Sequence, residues 1–271
     1  MHSTVVIHSL RVLVMRSIRF FSHLKYNTIT ATGIRQALSA IGPSDLLITD
    51  IDDTLVTSLG RRDQPRVPGV CGDGSEMWVK SQFDQLCQSH SKKVAFDKTI
   101  KLFESIQKEV VLTPVENDTV DEIKRIQNQG STVMGLTTRS PSLASITHQQ
   151  LNELNLHFGS TNNDAIPLID LPASPHNITL YQGVLFCGRV DKGQAFLNFL
   201  NTIMGQRAIK NKTGVYFIDN SLRHVQAFNA IRDQLPGLSL TTVHYPFVQL
   251  HYHLHSESDE EMISNNNYRA A

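Results

Sequence analysis

Acidic residues are missing from the start of this chain: none precedes Asp45, while Arg11, Arg16, Arg19, Lys25 and Arg35 all do. No apolar run is long enough to cross a bilayer, which excludes a membrane-spanning helix. Cysteine is scarce, with Cys71, Cys87 and Cys187 alone and no C-x-x-C pair among them, so neither a disulfide framework nor a zinc ribbon is readable. Net charge is missing too: 25 basic residues balance 25 acidic ones. That excludes a surface that grips nucleic acid as a whole, and any charged partner must be met locally. No internal repeat is present. What remains is a chain of 271 residues, 40% hydrophobic and 18% charged, which is enough for one large domain carrying a modest insertion.

The two ends are polarised. In residues 1–30, His8, Arg11, Arg19 and His23 gather on one side of a helical wheel, and Ile7, Leu10, Leu13, Val14, Phe21 and Leu24 fall largely on the other. This reads as a basic amphipathic helix that packs on the domain, with peripheral membrane contact as the alternative role. Arg11 and Arg16 interrupt the apolar stretch that an export signal needs, so a cytoplasmic location is expected, with secretion or translocation as the alternative. Residues 251–271 hold Glu257, Asp259, Glu260 and Glu261 among Ser and Asn and read as a disordered acidic tail.

Between these ends, apolar runs of strand length alternate with helical periodicity. Strands are expected at 46–49, 133–136, 180–186 (as a strand or hairpin), 215–218 and 238–244. Helices are expected at 31–41, 118–129, 140–154, 192–203 and 221–234. Such alternation implies a three-layer α/β/α fold with a mostly parallel sheet. Two further helices, at 75–90 and 94–110, follow a Gly-, Pro- and Arg-rich stretch and form a helical insertion. The expected organisation is therefore a core of 31–56 and 114–250, an insertion over 57–113, and the two flanking segments.

In parallel sheets ligands sit beyond the carboxyl ends of the strands, where Asp50, Thr137 and Asp219 fall. Asp50-Ile51-Asp52-Asp53-Thr54 sets three carboxylates directly after a buried strand. They repel one another and call for a cation, and a hard dication with oxygen ligands such as Mg²⁺ fits best. Alternation puts Asp50 and Asp52 on one side of the emerging chain, so that two carboxyl groups can take different roles. Arg139 reads either as a clamp for an anionic group or as a local cap. His244, His251, His253 and His255 contain no carboxylate or thiolate among them and read as surface histidines.

Asp50-x-Asp52-x-Thr54, then Thr137 at a strand end, Lys192 opening a helix and Asp219 at another strand end together resemble the four ordered motifs of the haloacid dehalogenase (HAD) superfamily. The resemblance covers about 45–245. It implies Asp50 as nucleophile, Asp52 as general acid and base, Thr137 and Lys192 as phosphate binders with Arg139 beside them, and a Mg²⁺ site made by Asp50, Asp52, Asp219 and Asn220. Asn220 stands where many relatives carry a second acid, which removes one negative charge from that site.

The segments 47–55, 74–78, 135–139 and 217–220 further resemble an uncharacterised bacterial HAD branch, and the motif set is similar to secreted nonspecific acid phosphatases. A small phosphomonoester is the implied substrate, and the insertion lies where a cap sits in that fold. Trp78, the single tryptophan, is expected in the cap's own core. The acidic tail resembles the Glu-rich export signals of type IV effectors. A rival expectation is therefore a catalytically weak HAD-like binding protein, or a secreted effector, that uses the cap surface to meet a partner.

Overall fold

The computed structural model describes residues 28–58, 74–158, 178–235 and 237–251. The expected N-terminal amphipathic helix lies almost wholly outside the described residues, as do the stretch 59–73, Cys71 and the acidic tail from 252 onward with His253 and His255.

The alternation of strand and helix folds into a seven-stranded sheet. Its strands in chain order are β1 (Thr28–Thr30), β2 (Asp45–Thr49), β5 (Thr132–Thr137), β6 (Thr179–Tyr181), β7 (Val184–Phe186), β8 (Gly214–Asp219) and β9 (Ser239–His244). A separate antiparallel pair is formed by β3 (Val56–Thr57) and β4 (Thr113–Pro114). Across the large sheet the order is β1-β9-β8-β2-β5-β7-β6, parallel throughout except for β6 at the edge. β2 lies at the centre, between β8 and β5, and the chain winds outward from it in both directions. The carboxyl end of β2 is therefore a topological switch point, where the flanking connections diverge and open a crevice.

The pleat explains the layers. Leu46 and Ile48 of β2 face one way with Met134, Leu136, Val215 and Phe217, and Leu47 faces the other way with Val133, Ile218 and Val243. Each face is covered by helices. On the Leu47 side lie α1 (Ile34–Ala37), α4 (Thr119–Asn128) and α5 (Ala144–Glu153), which contribute Ile34, Ile123, Ile126 and Leu151. On the Leu46 side lie α6 (Lys192–Leu200), α7 (Ile203–Ala208) and α8 (Leu222–Asn229), which contribute Phe196, Phe199, Met204, Val225 and Phe228. The fold is three-layer α/β/α with a mostly parallel sheet, as the sequence pattern predicts. Burial on both faces is why its strands read as unbroken apolar runs.

The insertion is a helical hairpin, α2 (Gly74–Cys87) against α3 (Lys92–Gln107), which leaves the core through β3 and returns through β4. Trp78 is buried between its helices with its ring 6.2 Å from Phe103, and Phe83 meets Phe96 edge-on. Among the described residues no helix is long and apolar enough to cross a membrane.

Four elements differ from the sequence expectation, the first being the helix expected over 31–41, which is a single turn, Ile34–Ala37. Thr28–Thr30 is a strand rather than the end of a helix, and it pairs with β9 from Thr28↔Thr242 to Thr30↔His244. The helix expected over 192–203 stops at Leu200, because the Thr202 hydroxyl accepts from the Gly205 amide and so starts a new helix. The helix expected over 221–234 ends at Asn229 and gives way to a single 3-10 turn, Arg232–Gln234.

Gly205 sits where the α6–α7 corner closes. A Cβ there would lie 2.0 Å from the Phe199 carbonyl oxygen and 2.5 Å from the Leu200 Cα. Both neighbours are backbone and cannot rotate away. Gly205→Ala is therefore expected to cost about 3 kcal/mol, the upper part of the range for overpacking, against a helix-propensity gain of about 1 kcal/mol. Urea unfolding of the two proteins checks this, and an alanine variant as stable as the wild type contradicts it.

Candidate active site

Asp50 leaves the sheet directly after β2, and its amide still donates to the Ile218 carbonyl of β8 at 2.9 Å. The chain then turns sharply. Leu55 and Val56 both donate to the Ile51 carbonyl, and Asp53 adopts the left-handed conformation at φ 59. That turn separates the three carboxylates of Asp50, Asp52 and Asp53, and each acquires its own partner. Asp53 accepts from the Thr57 hydroxyl at 3.1 Å and serves the β3 turn. Asp52 accepts two hydrogen bonds from Arg139, Nε to Oδ2 at 2.9 Å and Nη2 to Oδ1 at 2.7 Å. Asp50 faces Lys192.

Lys192 is the first residue of α6, whose N-cap is Asp191. Its ammonium lies 2.5 Å from Asp50 Oδ1 and 2.6 Å from Asp219 Oδ2, joining the carboxyl ends of β2 and β8. Asp219 Oδ1 accepts from the Ser221 amide at 2.8 Å, and His224 Nδ1 stands 3.4 Å from Asp219 Oδ2. Thr54 ties the two strand ends together a second time. Its hydroxyl accepts from the Asn220 amide at 3.1 Å and lies 3.2 Å from Asp50 Oδ2 and 3.3 Å from Asn220 Oδ1. Thr137 ends β5 and is buried, with its hydroxyl accepting from the Arg139 amide at 3.1 Å.

Sequence expectation thus brings Asp50, Asp52, Arg139, Lys192, Asp219 and Asn220 to linked positions, with Thr137 two residues from Arg139. The sequence leaves Arg139 open as an anion clamp or a local cap, and here it faces partners within the protein. It is buried, and its guanidinium is spent on Asp52, on Thr147 Oγ1 at 2.9 Å and on Gln150 Oε1 at 2.9 Å. Thr54, Thr147, Gln150 and His224 are parts of the arrangement that the sequence reading did not assign. The fixed T of the D-x-D-x-T pattern was the one available signal, for Thr54. His244 Nε2 donates to the Asn220 carbonyl, 3.1 Å away, and His251 packs on Phe247, so these two imidazoles form no shared site.

The charges are unbalanced in an informative way. Burial, with Asp219 and Asp52 nearby, pushes the Asp50 carboxyl up to about 7 against the pull of Lys192. Burial also opposes the charge on Asp219, but Lys192 and His224 outweigh it and hold that carboxyl below the usual carboxylate range. Burial disfavours the Lys192 ammonium, yet Asp219 and Asp50 raise its pKa above the ordinary lysine value. Two buried carboxylates therefore share one ammonium. A further cation with oxygen ligands fits that deficit, and of the expected set Asp50, Asp219 and Asn220 offer oxygens there, whereas both carboxylate oxygens of Asp52 are on Arg139. Among the described residues no group of three or more His, Cys, Asp or Glu forms a metal cluster. Cys187 lies close by, where burial pushes its thiol up to about 12 and leaves it unreactive.

A family model described as "Protein of unknown function (DUF2608)" matches residues 27–269. The chain belongs to that family. Within reach of this DUF2608 sequence are a "Putative outer membrane protein" of Chlamydia trachomatis serovar D, 30% identical over 75% of this chain and 71% of the relative, and one of Chlamydia pneumoniae, 25% identical over 76% and 70%. An uncharacterised protein of Rickettsia prowazekii is 24% identical over 73% of this chain and 70% of its own length. No solved structure matches the chain.

The raised Asp50 pKa has a consequence for stability. With 3.8 as the unfolded value and about 7 as the folded one, the folded state keeps a proton that the unfolded chain has lost between those limits. The stability of the metal-free protein therefore falls as pH rises from about 4 to about 7. Asp50→Asn removes this titration. In EDTA the variant should lack that part of the fall and exceed the wild type in melting temperature at pH 8. An identical pH profile in both proteins would show that the proton is held elsewhere.

Proposed function

We propose that this chain is a HAD-type phosphomonoester hydrolase working through an aspartyl phosphate on Asp50. The observation that carries the reading is the Lys192 ammonium held between Asp50 and Asp219 at the carboxyl ends of adjacent strands. With the D-x-D-x-T turn on one strand and Thr137 on the next, the arrangement follows the ordered motifs that the sequence shares with that superfamily.

In the first displacement an Asp50 oxygen forms the new bond to phosphorus as the ester oxygen leaves with its electron pair, and Asp52 gives that oxygen a proton. In the second, water attacks the aspartyl phosphate, Asp52 takes the proton back, and Asp50 is released as the carboxylate. Lys192 offsets the negative charge that would hold a phosphoryl group away from Asp50, and the Thr137 hydroxyl offers a neutral donor to a phosphoryl oxygen. Mg²⁺, held by Asp50, Asp219 and Asn220, would supply further charge compensation at the same place. For Asp52 to exchange a proton, Arg139 must yield at least one of its two hydrogen bonds. The helical hairpin α2–α3, rooted beside this turn, would act as a cap that excludes water.

A second reading, a catalytically weak binding protein, is favoured by one observation. Both Asp52 oxygens are already engaged by Arg139, an arrangement at rest rather than one ready to protonate a leaving group. The names of the two chlamydial relatives favour secretion or a surface location over the cytoplasmic expectation, and fractionation of the source cells distinguishes these.

Turnover separates the two functional readings. The purified chain should hydrolyse 4-nitrophenyl phosphate with Mg²⁺ and lose activity in excess EDTA, and Asp50→Asn should abolish the reaction. Asn220→Asp should lower the Mg²⁺ concentration needed for half-maximal rate with little change in maximal rate, because a carboxylate attracts the dication more strongly than an amide. No metal-dependent turnover on a broad phosphomonoester panel, or full activity in Asp50→Asn, rejects the enzyme reading.

A further inference from the structure

The side chain of Gln150, on α5, joins two parts of the molecule that are far apart in sequence. Its carbonyl oxygen accepts from Arg139 Nη1 at 2.9 Å, and Arg139 in turn grips both oxygens of Asp52. Its amide nitrogen donates to the Gln107 carbonyl at 2.8 Å and to the Val110 carbonyl at 3.0 Å. Gln107 is the last residue of α3, so its carbonyl is one that the helix cannot satisfy itself, and Val110 lies on the path back to β4. One buried amide thus ties off the root of the helical insertion and, through Arg139, sets the position of Asp52. Thr147 Oγ1 holds the same Arg139 nitrogen and fixes the guanidinium plane.

We propose that Gln150 is a positioning residue that couples the placement of the α2–α3 insertion to the orientation of Asp52. Movement of the α3 terminus draws on the Gln150 amide, which changes its hold on Arg139 and with it the bidentate grip on Asp52. In the other direction, release of Asp52 frees Arg139 and loosens the root of the insertion. The mechanical link stands on the hydrogen bonds alone. Its catalytic consequence rests on the reading of Asp52 as general acid and base.

The chain's single tryptophan gives a direct readout of the link. Trp78 packs on Phe103, one helical turn before Gln107, so its fluorescence reports the state of the insertion near that root. Asp52→Ala should shift Trp78 emission in the otherwise wild-type protein and leave it unshifted in the Gln150→Leu background. Gln150→Glu serves as a second background: it keeps an acceptor for Arg139 and nearly the same volume, but removes the amide that holds the two carbonyls. An equal shift in all backgrounds, or none in any, overturns the link.

The catalytic arm compares an alkyl phosphate with 4-nitrophenyl phosphate in a double-mutant cycle. Gln150→Leu should lower alkyl phosphate turnover by about 10²-fold, the scale of a catalytic group displaced by about 1 Å, with a smaller loss on the activated aryl ester. In the Asp52→Ala background the same substitution should cost nothing further. A loss that adds in full to that of Asp52→Ala, or that is equal for both leaving groups, shows Gln150 acting by general destabilisation and overturns the positioning role. If the wild type turns over neither ester, the hydrolase reading fails, and the Trp78 measurement still decides whether the link exists.

Discussion

The architecture of this molecule converges on a single ammonium group. Lys192 is buried with two carboxylates against it, Asp50 from β2 and Asp219 from β8. A buried ion cluster of this kind is a poor way to stabilise a fold, because taking the charges out of water costs several kcal/mol per ion before their attraction is recovered. A leucine at each position would pack the crevice more cheaply. The arrangement makes sense as a site kept electrostatically tense, where burial, with Asp219 and Asp52 beside it, drives Asp50 towards neutrality against the pull of Lys192. The sheet holds this in place: the carboxyl ends of three adjacent parallel strands lie side by side, and Thr54 pins the end of β2 to that of β8.

Much of this was legible in the sequence because the physics is local. An apolar run such as Leu46 to Ile48 admits few interpretations when it ends abruptly in an aspartate, and the same signal repeats at Phe217-Ile218-Asp219. Burial on both sheet faces removed alternation as a clue but supplied unbroken hydrophobicity in its place, so strands and their functional ends were found together. Lys192 was placed by its position opening a helix rather than by any property that marks it as buried. Burial of a lysine becomes visible only when its two partners, 142 and 27 residues away, are brought to it.

The unread parts have a common cause. Gln150 and Thr147 look like ordinary polar residues of a surface helix, and nothing nearby in sequence distinguishes them from exposed neighbours such as Gln149. Their roles depend on Arg139, Gln107 and Val110, contacts set by tertiary packing. Arg139 itself was readable as an anion clamp, and it does clamp an anion, but one supplied by the protein. The split between α6 and α7 was hidden for a different reason. No proline interrupts the pattern, and the stop comes from Thr202 offering its side chain as a cap, a signal easily missed inside an apolar helix-like run. Thr28–Thr30 became a strand because β9 offers it an edge, which local propensity does not record.

Arg139 and Asn220 bear on the same question from opposite sides of the site. Under the proposed reading, Asn220 would withhold a negative charge from a dication and Arg139 supplies a positive charge beside Asp52, so both would make the site less attractive to a metal. Yet the two differ in reach. Asn220 is held by Thr54 within the rigid pair of strand ends, and its influence is fixed with the sheet. Arg139 is attached through Gln150 to the root of a helical hairpin that stands outside the sheet. On that reading, the fixed deficit at Asn220 would set how strongly the site attracts a cation. Under the proposed coupling, the charge at Arg139 would instead set how Asp52 is oriented, so the placement of the insertion would bear on Asp52 while the strand ends stay as they are.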